Sequence, residues 1–560
     1  AHNSVNQYKN NNFNFTWESF ANYNFKINNV HNFETVAGIS FAKTSGNGNN
    51  VSRQDVPFNS WAFAKVSAAT GINIAGDPNA SPVIPPNLNA LTGGAYQYFR
   101  KNASAFGRIN YDYQEKYMAS FTARRDGSIA FGPENKFANF FSGSLGWLVS
   151  KEDFFTSKTI DLLKIRGSYG TSGNENTDPQ SSQIITGGPS YGNTQNSNGY
   201  TFGGVFYPGA TLGTSVNPAL RWEKQTQFNV GFEASIWTNK LSLSVDYFRK
   251  EVDGLLFRPS VPFYLGTAEI PDANIGSTRS SGIDLNLTYN TAFSKDFKIS
   301  NTLTFTTSKN LVTATNEDGT AKYTGGNFFN GQSIDITVFE KGQTPGYFYG
   351  YRTNGLYQRE SDIPSDSTYM NALAGDIHFV DVNGDGKLTA ADQTKIGDPF
   401  PDFTMGWNLN MSYKNIDLTV FTYASVGNDV YVAYERNENN TNKPRTILGR
   451  WTGEGTTNDA RYPRYTFQDR NNNSRPSDRY VEDGSFVKIK NIQLGYTFPA
   501  HLTGKAFKGL RIYGQVRNAF TFTKYSGFDP EIPGGILNTG VDRGAYPQAR
   551  TYAVGVDIKL

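Results

Sequence analysis

Apolar and polar residues alternate along several stretches of this chain. From Phe13 to Phe25 the odd positions are mostly apolar or aromatic and the even positions are mostly polar. The same period of two residues recurs at 224–237, 240–250 and 402–413. Alternation of this kind predicts β-strands with one apolar and one hydrated face. Most runs have about 9 to 13 residues, which is longer than a typical globular strand and close to the length that crosses a membrane.

The pattern predicts about fifteen strands. They lie near 12–26, 31–42, 104–113, 117–125, 139–149, 162–171, 224–237, 240–250, 276–290, 297–308, 402–413, 416–424, 486–498, 510–518 and 551–560.

The connections between these strands alternate between short and long. The short ones include 28–30, 114–116, 238–239 and 414–415, and the long ones are 43–103, 172–223, 309–401, 425–485 and 519–550. In outer-membrane barrels the short turns face the periplasm and the long loops face outward. The sequence therefore predicts an all-β fold, a transmembrane antiparallel β-barrel. The alternative is a large soluble two-sheet protein with binding loops at one end.

Composition supports this class and excludes others. The 560 residues include 42 Phe, 32 Tyr and 7 Trp but no Cys, which excludes disulfide scaffolds and thiol catalysis. The 52 basic and 49 acidic residues nearly balance, so no nucleic-acid partner is expected. No apolar run is long enough for a membrane-spanning helix.

The number of strands indicates how much of a barrel this chain contains. Alternation continues to Leu560, as if the chain ended inside a strand that runs toward the periplasm. Counting back fifteen strands places the start of the first strand, near Asn12, on the extracellular side. Because bacterial single-chain barrels have an even number of strands, we expect an N-terminal part of the barrel to be missing from this chain.

Six runs, taken in order, carry a specific resemblance. They are RRDGSIAFG at 124–132, LKIRGSYGTSGN at 163–174, NPALRWEKQTQFNVG at 217–231, GDIHFVDVNGDGKLTAADQTKIGDPFPDFTMG at 375–406, YVEDGSFVKIKNIQLGYTFP at 480–499 and RIYGQVRNAFTFTKYSGFDPE at 511–531. Together they resemble the C-terminal barrel portion of a SusC/RagA-type TonB-dependent outer-membrane transporter.

The resemblance implies a 22-stranded barrel in the outer-membrane lipid, of which residues 1–560 are the C-terminal portion with long extracellular loops. The plug domain, the TonB box and the first strands are absent from this chain. The family implies energy from TonB–ExbB–ExbD through that missing part and a SusD-like surface lipoprotein as a lid. The expected function is import of oligosaccharides or peptides. The alternative is a structural or secretion-associated barrel without an uptake role.

One loop motif predicts a metal site. Asp381, Asn383 and Asp385 occupy positions 1, 3 and 5 of a twelve-residue loop, Lys387 can offer its carbonyl at position 7, and Asp392 stands at position 12. This spacing gathers oxygen ligands around a hard cation, so we expect Ca²⁺ in an extracellular loop. The alternative is a turn held by side-chain hydrogen bonds to the backbone, without metal.

Other candidate residues carry weaker expectations. Two aromatic loop stretches, Tyr347–Tyr351 and Tyr96–Phe99, could stack on sugar rings or bind a peptide. More often such residues fill the barrel lumen, pack loops together or contact a partner. Charges such as Glu18, Glu233 and Asp246 are expected in a hydrated lumen. No nucleophile with a neighbouring base and no phosphate-binding motif is recognisable, so we do not expect an enzyme.

Overall fold

The computed structural model describes residues 3–54, 92–177, 217–257, 272–315, 333–434, 445–503 and 507–559. Shorter described stretches lie at 56, 60–61, 64–69, 72–74, 87–88, 185–187, 199–202, 205–208, 211–214, 322–326 and 328–329.

Fifteen strands form one continuous antiparallel sheet in which every strand pairs with its neighbours in chain order. They are β1 Ser4–Ile27, β2 His31–Gln54, β3 Thr92–Tyr113, β4 Tyr117–Ser128, β5 Phe137–Leu148, β6 Ile160–Asn174, β7 Glu223–Ile236, β8 Leu241–Asp253, β9 Ser277–Ala292, β10 Phe297–Ala314, β11 Phe403–Tyr413, β12 Ile416–Val426, β13 Phe486–Phe498, β14 Gly509–Thr523 and β15 Thr551–Lys559. The all-β class and the fifteen predicted strands are confirmed.

Several strands are longer than predicted at the end away from the short turns. β1 and β2 have 24 residues each and remain paired as far as Ser4 and Gln54. β3 begins at Thr92 rather than near 104. The extensions of β1 and β2 are rich in Asn and Gly, and that of β3 has aromatic residues at 96, 98 and 99. None of them has an apolar residue at every second position to reveal the strand. Backbone hydrogen bonds between strands continue there because they do not require a buried face. Alternation of apolar and polar residues is needed only where one face of the sheet meets lipid.

The pairing register assigns each wall residue to one of two faces. The apolar face, which we call outward, ends near the short turns in a row of aromatic rings. Phe33 stacks near Tyr111 with centroids 4.9 Å apart, and Tyr117 lies parallel to Trp147 at 6.5 Å. Rings in this position form the girdle that anchors a barrel at the membrane interface. The opposite, inward face is polar and corresponds to the lumen.

Short strands and helices occupy the connections. The short strands are Ile72–Ile74, Asn87–Leu88, Ile185–Gly187, Gly199–Phe202, Val205–Pro208, Thr211–Thr214, Leu256–Phe257, Ala273–Asn274, Tyr323–Gly325, Phe328–Phe329, Ser333–Ile334, Thr337–Phe339, Tyr347–Gly350, Thr353–Leu356, Ile377–Phe379, Thr394–Gly397, Asp429–Val432, Val481–Asp483 and Val541–Asp542. The 3₁₀ helices are Val66–Ala68, Val149–Lys151, Glu360–Asp362, Ser367–Tyr369, Ala390–Asp392, Arg445–Gly449 and Asp478–Tyr480, and the α-helix is Ala500–Thr503. Within the described part of the chain, no helix has the length and apolar character to cross a membrane.

The main hydrophobic core lies in the connections rather than in the wall. We define the loop unit as the described residues of 322–402, 427–485 and 524–550. Its short strands pair across the three connections, since 429–432 joins 481–483 on one side and 541–542 on the other. One buried cluster surrounds Phe348 and Tyr431, and a second surrounds Ile377 and Phe379. The wall has no comparable core because one of its faces meets lipid and the other meets water.

Candidate functional site

Ion pairs on the inward face are arranged around glycines. Arg166 on β6 and Asp246 on β8 are both register partners of Gly231 on β7. Their side chains meet across the intervening strand, with Arg166 Nη2 2.6 Å from Asp246 Oδ2, and Arg166 Nε lies 3.1 Å from Glu233. A Cβ at Gly231 would collide with the Asp246 carboxylate and the Val245 carbonyl oxygen. The glycine therefore provides the space in which the ion pair forms.

A similar arrangement recurs on the inward face of the last four strands of the sheet. Asp417 on β12 is the register partner of Gly495 on β13, and Arg511 on β14 reaches across that glycine. Arg511 Nε donates to Asp417 Oδ1 at 2.9 Å, and Arg511 Nη1 lies 2.9 Å from Asp557 Oδ2 on β15. A Cβ at Gly495 would approach Arg511 Nη2 to 2.5 Å. These ion pairs between inward-facing side chains hold neighbouring strands in register and keep the lumen surface polar.

A buried lysine joins the wall to the loop unit. Lys488 on β13 is only 3% exposed and its Nζ lies 2.6 Å from Asp529 and 2.7 Å from Glu531. Lys490 Nζ lies 2.5 Å from the other oxygen of Glu531. Burial opposes ionisation of Asp529, but the hydrogen bond and charge of Lys488, together with the backbone N–H groups of Glu531 and Gln548, outweigh it and hold the pKa of that carboxyl below its usual range. We call Lys488, Lys490, Asp529 and Glu531 the mouth anchor, because they fix connection 524–550 to the inward face.

Inside the loop unit a buried carboxylate joins two connections. Asp376 is fully buried, and Arg464 Nε donates to it at 2.6 Å while Asn473 Nδ2 donates at 2.9 Å. The backbone N–H of Leu373 supplies a further bond at 2.9 Å. A buried charge is tolerable only when it is paired and hydrogen-bonded, as it is here. This cluster ties connection 322–402 to connection 427–485.

A polar cleft of about 550 Å³ opens on the loop unit between 353–355, 458–461 and 478–483. Its charged lining includes Arg461, Asp478, Glu482 and Lys524. Arg461 forms an ion pair with Asp459 at 2.7 Å, and Asp478 accepts a hydrogen bond from Thr353 at 2.6 Å. Both signs of charge and both hydrogen-bond roles are therefore presented on a preformed surface.

The predicted calcium loop is held by hydrogen bonds to its own backbone. Asp381 accepts from the N–H groups of Gly384 and Gly386, each at 2.7 Å, and Asp385 accepts from the N–H of Lys387 at 2.9 Å. The buried Asp392 accepts from the N–H of Thr389 at 2.7 Å and that of Val382 at 3.0 Å. Burial opposes ionisation of Asp392, but its backbone donors outweigh it and hold the pKa of Asp392 below its usual range.

These hydrogen bonds from backbone N–H groups to side-chain oxygens are the ones expected for the metal-free turn. Among the described residues, no three or more Asp, Glu or His side chains converge in the arrangement of a metal site. Asn383 accepts from the N–H of Asp385 at 2.9 Å and so belongs to the same turn. Ca²⁺ binding by Asp381, Asn383, Asp385, Lys387 and Asp392 remains a prediction.

Comparison with known proteins decides the family. A family model described as the TonB-dependent receptor-like β-barrel matches residues 2–423. The chain belongs to this family. The recognition made from the six sequence runs is confirmed, and the predicted location in the outer membrane follows from the family. The family is one of transporters, in keeping with the expectation that the chain is not an enzyme.

Relatives and solved structures extend the match over nearly the whole chain. TonB-dependent receptor P3 of Formosa agariphila is 31% identical over 97% of this chain and 52% of the receptor's own length. TonB-dependent receptor SusC of Bacteroides thetaiotaomicron is 27% identical over 83% of this chain and 44% of its own. The structure of the RagAB peptide transporter superposes with a TM-score of 0.78 at 24% identity, covering 99% of this chain and 56% of that chain. The present receptor barrel thus spans about half the length of the curated relatives it matches.

The aromatic stretches of the receptor barrel differ in their surroundings. Phe348 and Tyr347 are buried in the loop unit, so this stretch packs the loops together. Burial raises the pKa of Tyr347, with the nearby Glu340 acting in the same direction. In the other stretch, Phe99 is exposed on the outward face of β3, and the side chain of Tyr96 lies outside the described residues.

Two features of the receptor barrel were missed by sequence reasoning. Glu233 and Asp246 were predicted as lumen charges, but their common partner Arg166 was not identified. The signal was available, because Arg166, Gly231 and Asp246 all lie on polar faces of alternating strands. The mouth anchor had no such signal, since about forty residues separate Lys488 from Asp529 and Glu531.

Proposed function

We propose that this chain forms the wall and extracellular loops of a TonB-dependent importer that brings oligosaccharides or peptides across the outer membrane. The observation that carries the proposal is the mouth anchor. It fixes an independently packed loop unit to the inward face of a polar wall, at the end where the long connections lie. A barrel that only supports the membrane has no need for a packed polar surface over its mouth.

The loop unit has the character of a capture surface. Its cleft presents Arg461, Asp478, Glu482 and Lys524 on elements that are fixed by buried contacts. Preorganised polar groups bind sugar hydroxyls or peptide groups without a large ordering cost. Below the cleft, the inward face continues the polar surface along the ion pairs around Gly231 and Gly495. Substrate that passes from the cleft along the wall would meet these polar groups.

Partners and energy coupling form the second half of the proposal. We infer that residues 1–560 are the C-terminal part of a barrel whose remaining strands add to β1 and β15, each of which pairs on one side only among the described residues. A plug and a TonB box encoded outside this chain would link the barrel to TonB–ExbB–ExbD. A SusD-like lipoprotein would close over the loop unit. SusC, which is 27% identical to this chain, supports this assignment.

Growth of a deletion strain on a panel of glycans and peptides tests the proposal. We expect loss of growth on one substrate class, with rescue by the complete gene but not in a strain that lacks TonB. Normal growth on every substrate, together with loss of a secreted or surface protein, would favour the structural or secretion-associated alternative.

A further inference from the structure

The uncharged band of the outward face ends at basic residues on several strands. Along six strands, the outward positions nearest the short turns are uncharged, and the first charged residue reached toward the long connections is basic in every case. These residues, which we call the cationic collar, are Lys43, Lys101, Arg125, Arg249, Arg279 and Lys309.

Glu251 on β8 lies directly opposite Arg279, whereas no ion pair is formed by Lys43, Lys101, Arg125 or Lys309 among the described residues. Lys43 on β2 and Lys101 on β3 are direct register partners, so two like charges lie opposite each other. Such a pair is unfavourable in a sheet. Among the described residues, Arg249 is the one collar member that forms an ion pair with a carboxylate, that of Glu251. A sheet that places unpaired cations side by side on its surface is complementary to an external anion.

The position of the collar identifies where that anion lies. Lys43 and Lys101 are about 12 residues from the short-turn ends of their strands, whereas a tilted strand needs roughly 9 to 11 residues to cross the hydrocarbon. Lys43 and Lys101 therefore lie at the headgroup level of the outer leaflet. Arg125 and Arg249 begin closer to the hydrocarbon, eight residues from the starts of β4 and β8, and long side chains of this kind extend to the headgroups. Aromatic rings accompany it: Lys101 Nζ is 5.7 Å from the centroid of Phe99, and the Arg125 guanidinium is 5.2 Å from that of Phe137. Rings beside cations are typical of this interface.

We propose that the cationic collar binds the phosphate groups of the outer-leaflet glycolipid. The ligand is lipid-borne because the collar faces away from the lumen and directly above an uncharged apolar band. The collar consists of two groups of cations, one on β2–β4 and one on β8–β10. Each group provides one phosphate site. Lysine and arginine supply several N–H donors each and match the phosphate oxygens in charge and geometry. This site does not depend on what the lumen transports.

Glycolipid binding to the complete protein in detergent tests the proposal. The probe is purified outer-membrane glycolipid, intact or treated with phosphatase, and binding is read by titration and by native mass spectrometry. The variant K43Q/K101Q removes the opposed lysines. The control K240Q/K298Q removes the same charge from the short-turn end, where Lys240 lies in a turn and Lys298 faces inward.

We expect K43Q/K101Q to bind intact glycolipid about thirtyfold more weakly, since each cation at a lipid surface contributes about a factor of five. The control should match the wild type, and phosphatase-treated glycolipid should bind the wild type as weakly as intact lipid binds the variant. Heat-modifiable gel mobility shows that each variant is folded, and R279Q/K309Q repeats the test on β9 and β10 if the first pair fails to fold.

Three results would overturn the assignment. The first is equal affinity of wild type and both collar variants for intact glycolipid. The second is equal affinity of the wild type for intact and phosphatase-treated glycolipid. The third is displacement of the glycolipid by millimolar inorganic phosphate, which would show a site for a free anion rather than a lipid headgroup.

Discussion

At the scale of single residues, Lys488 determines how connection 524–550 meets the wall. Its Nζ lies within 2.7 Å of both Asp529 and Glu531 and is almost fully buried. A buried charge that loses its partner is costly, whereas the intact cluster is balanced by its own hydrogen bonds. The position of this connection should therefore depend on one side chain.

Lys488→Met should release connection 524–550 from the wall. The change leaves Asp529 without its buried cation, and breaking a buried pair costs about 3–5 kcal/mol. Hydrogen exchange measured by mass spectrometry should show faster exchange in 524–550. The matched control is Lys524→Met, which removes an exposed lysine from the same connection. Equal exchange in the two variants would contradict the anchor.

Single residues also determine whether the loop 381–392 binds Ca²⁺. If Ca²⁺ binds the loop 381–392, the carboxylate oxygens of Asp381 and Asp385, which now accept from backbone N–H groups, must also coordinate the cation. Calorimetric titration of the wild type with Ca²⁺ should give a binding heat that Asp385→Ala abolishes, because the variant loses the ligand at position 5. Identical heats from the two proteins would leave the loop as a metal-free turn.

We expect His378 to make the loop unit sensitive to pH. Its ring stacks on Tyr357 with centroids 4.7 Å apart, and burial lowers the pKa of His378 below its ordinary value of about 6.5. The folded state thus favours the neutral ring. Its contribution to stability is complete above pH 6.5 and is lost as the pH falls through the folded pKa, because the unfolded loop binds the proton first.

We expect strand Ile377–Phe379 to exchange its amides faster at pH 5.5 than at pH 7.5 after correction for intrinsic rates. His378→Phe should remove most of this difference, since the ring then cannot be protonated. His501→Phe, outside the loop unit, serves as the control and should retain it. A pH response that survives in His378→Phe would assign it to other groups.

At the scale of elements, glycines allow ion pairs to span a strand. Gly231→Ala should destabilise the wall by about 1–3 kcal/mol, because its Cβ would overlap the Asp246 carboxylate and the Val245 carbonyl oxygen. Gly514→Ala is the matched control, since nothing lies within 4 Å of its Cβ position on β14. Heat-modifiable gel mobility should show a lower unfolding temperature for the first variant only. Equal temperatures would show that the wall adapts at Gly231.

The wall strands could be predicted from the sequence, whereas much of the connections could not. Alternation located all fifteen wall strands, because a lipid-facing strand must place an apolar residue at nearly every second position. It did not extend β1 to Ser4 or β3 to Thr92, where no apolar residue stands at every second position. Nor did it predict the loop unit, whose cores join residues as distant as Phe348 and Tyr431. Pairs such as Asp376 with Arg464 depend on three-dimensional folding that has no local period.

At the scale of the whole molecule, the chain combines two kinds of stability. The wall relies on backbone ladders, an aromatic girdle and lipid, whereas the loop unit has buried clusters like those of a soluble domain. The near balance of 52 basic and 49 acidic residues is consistent with this division, since many charges pair within the lumen and the loops. Aromatic residues then serve in two places, the girdle and the loop cores. The fold therefore places the packed loop unit at one end of the wall and shorter connections at the other.

Cysteine labelling in intact cells tests this orientation most directly. The chain has no native Cys, so Ser365→Cys in the loop unit and Lys295→Cys in the turn between β9 and β10 each add one thiol to it. Both positions are exposed. A membrane-impermeant maleimide should label Cys at 365 in whole cells and Cys at 295 only after the outer membrane is permeabilised. Labelling of position 295 in intact cells, or failure to label position 365, would contradict the account.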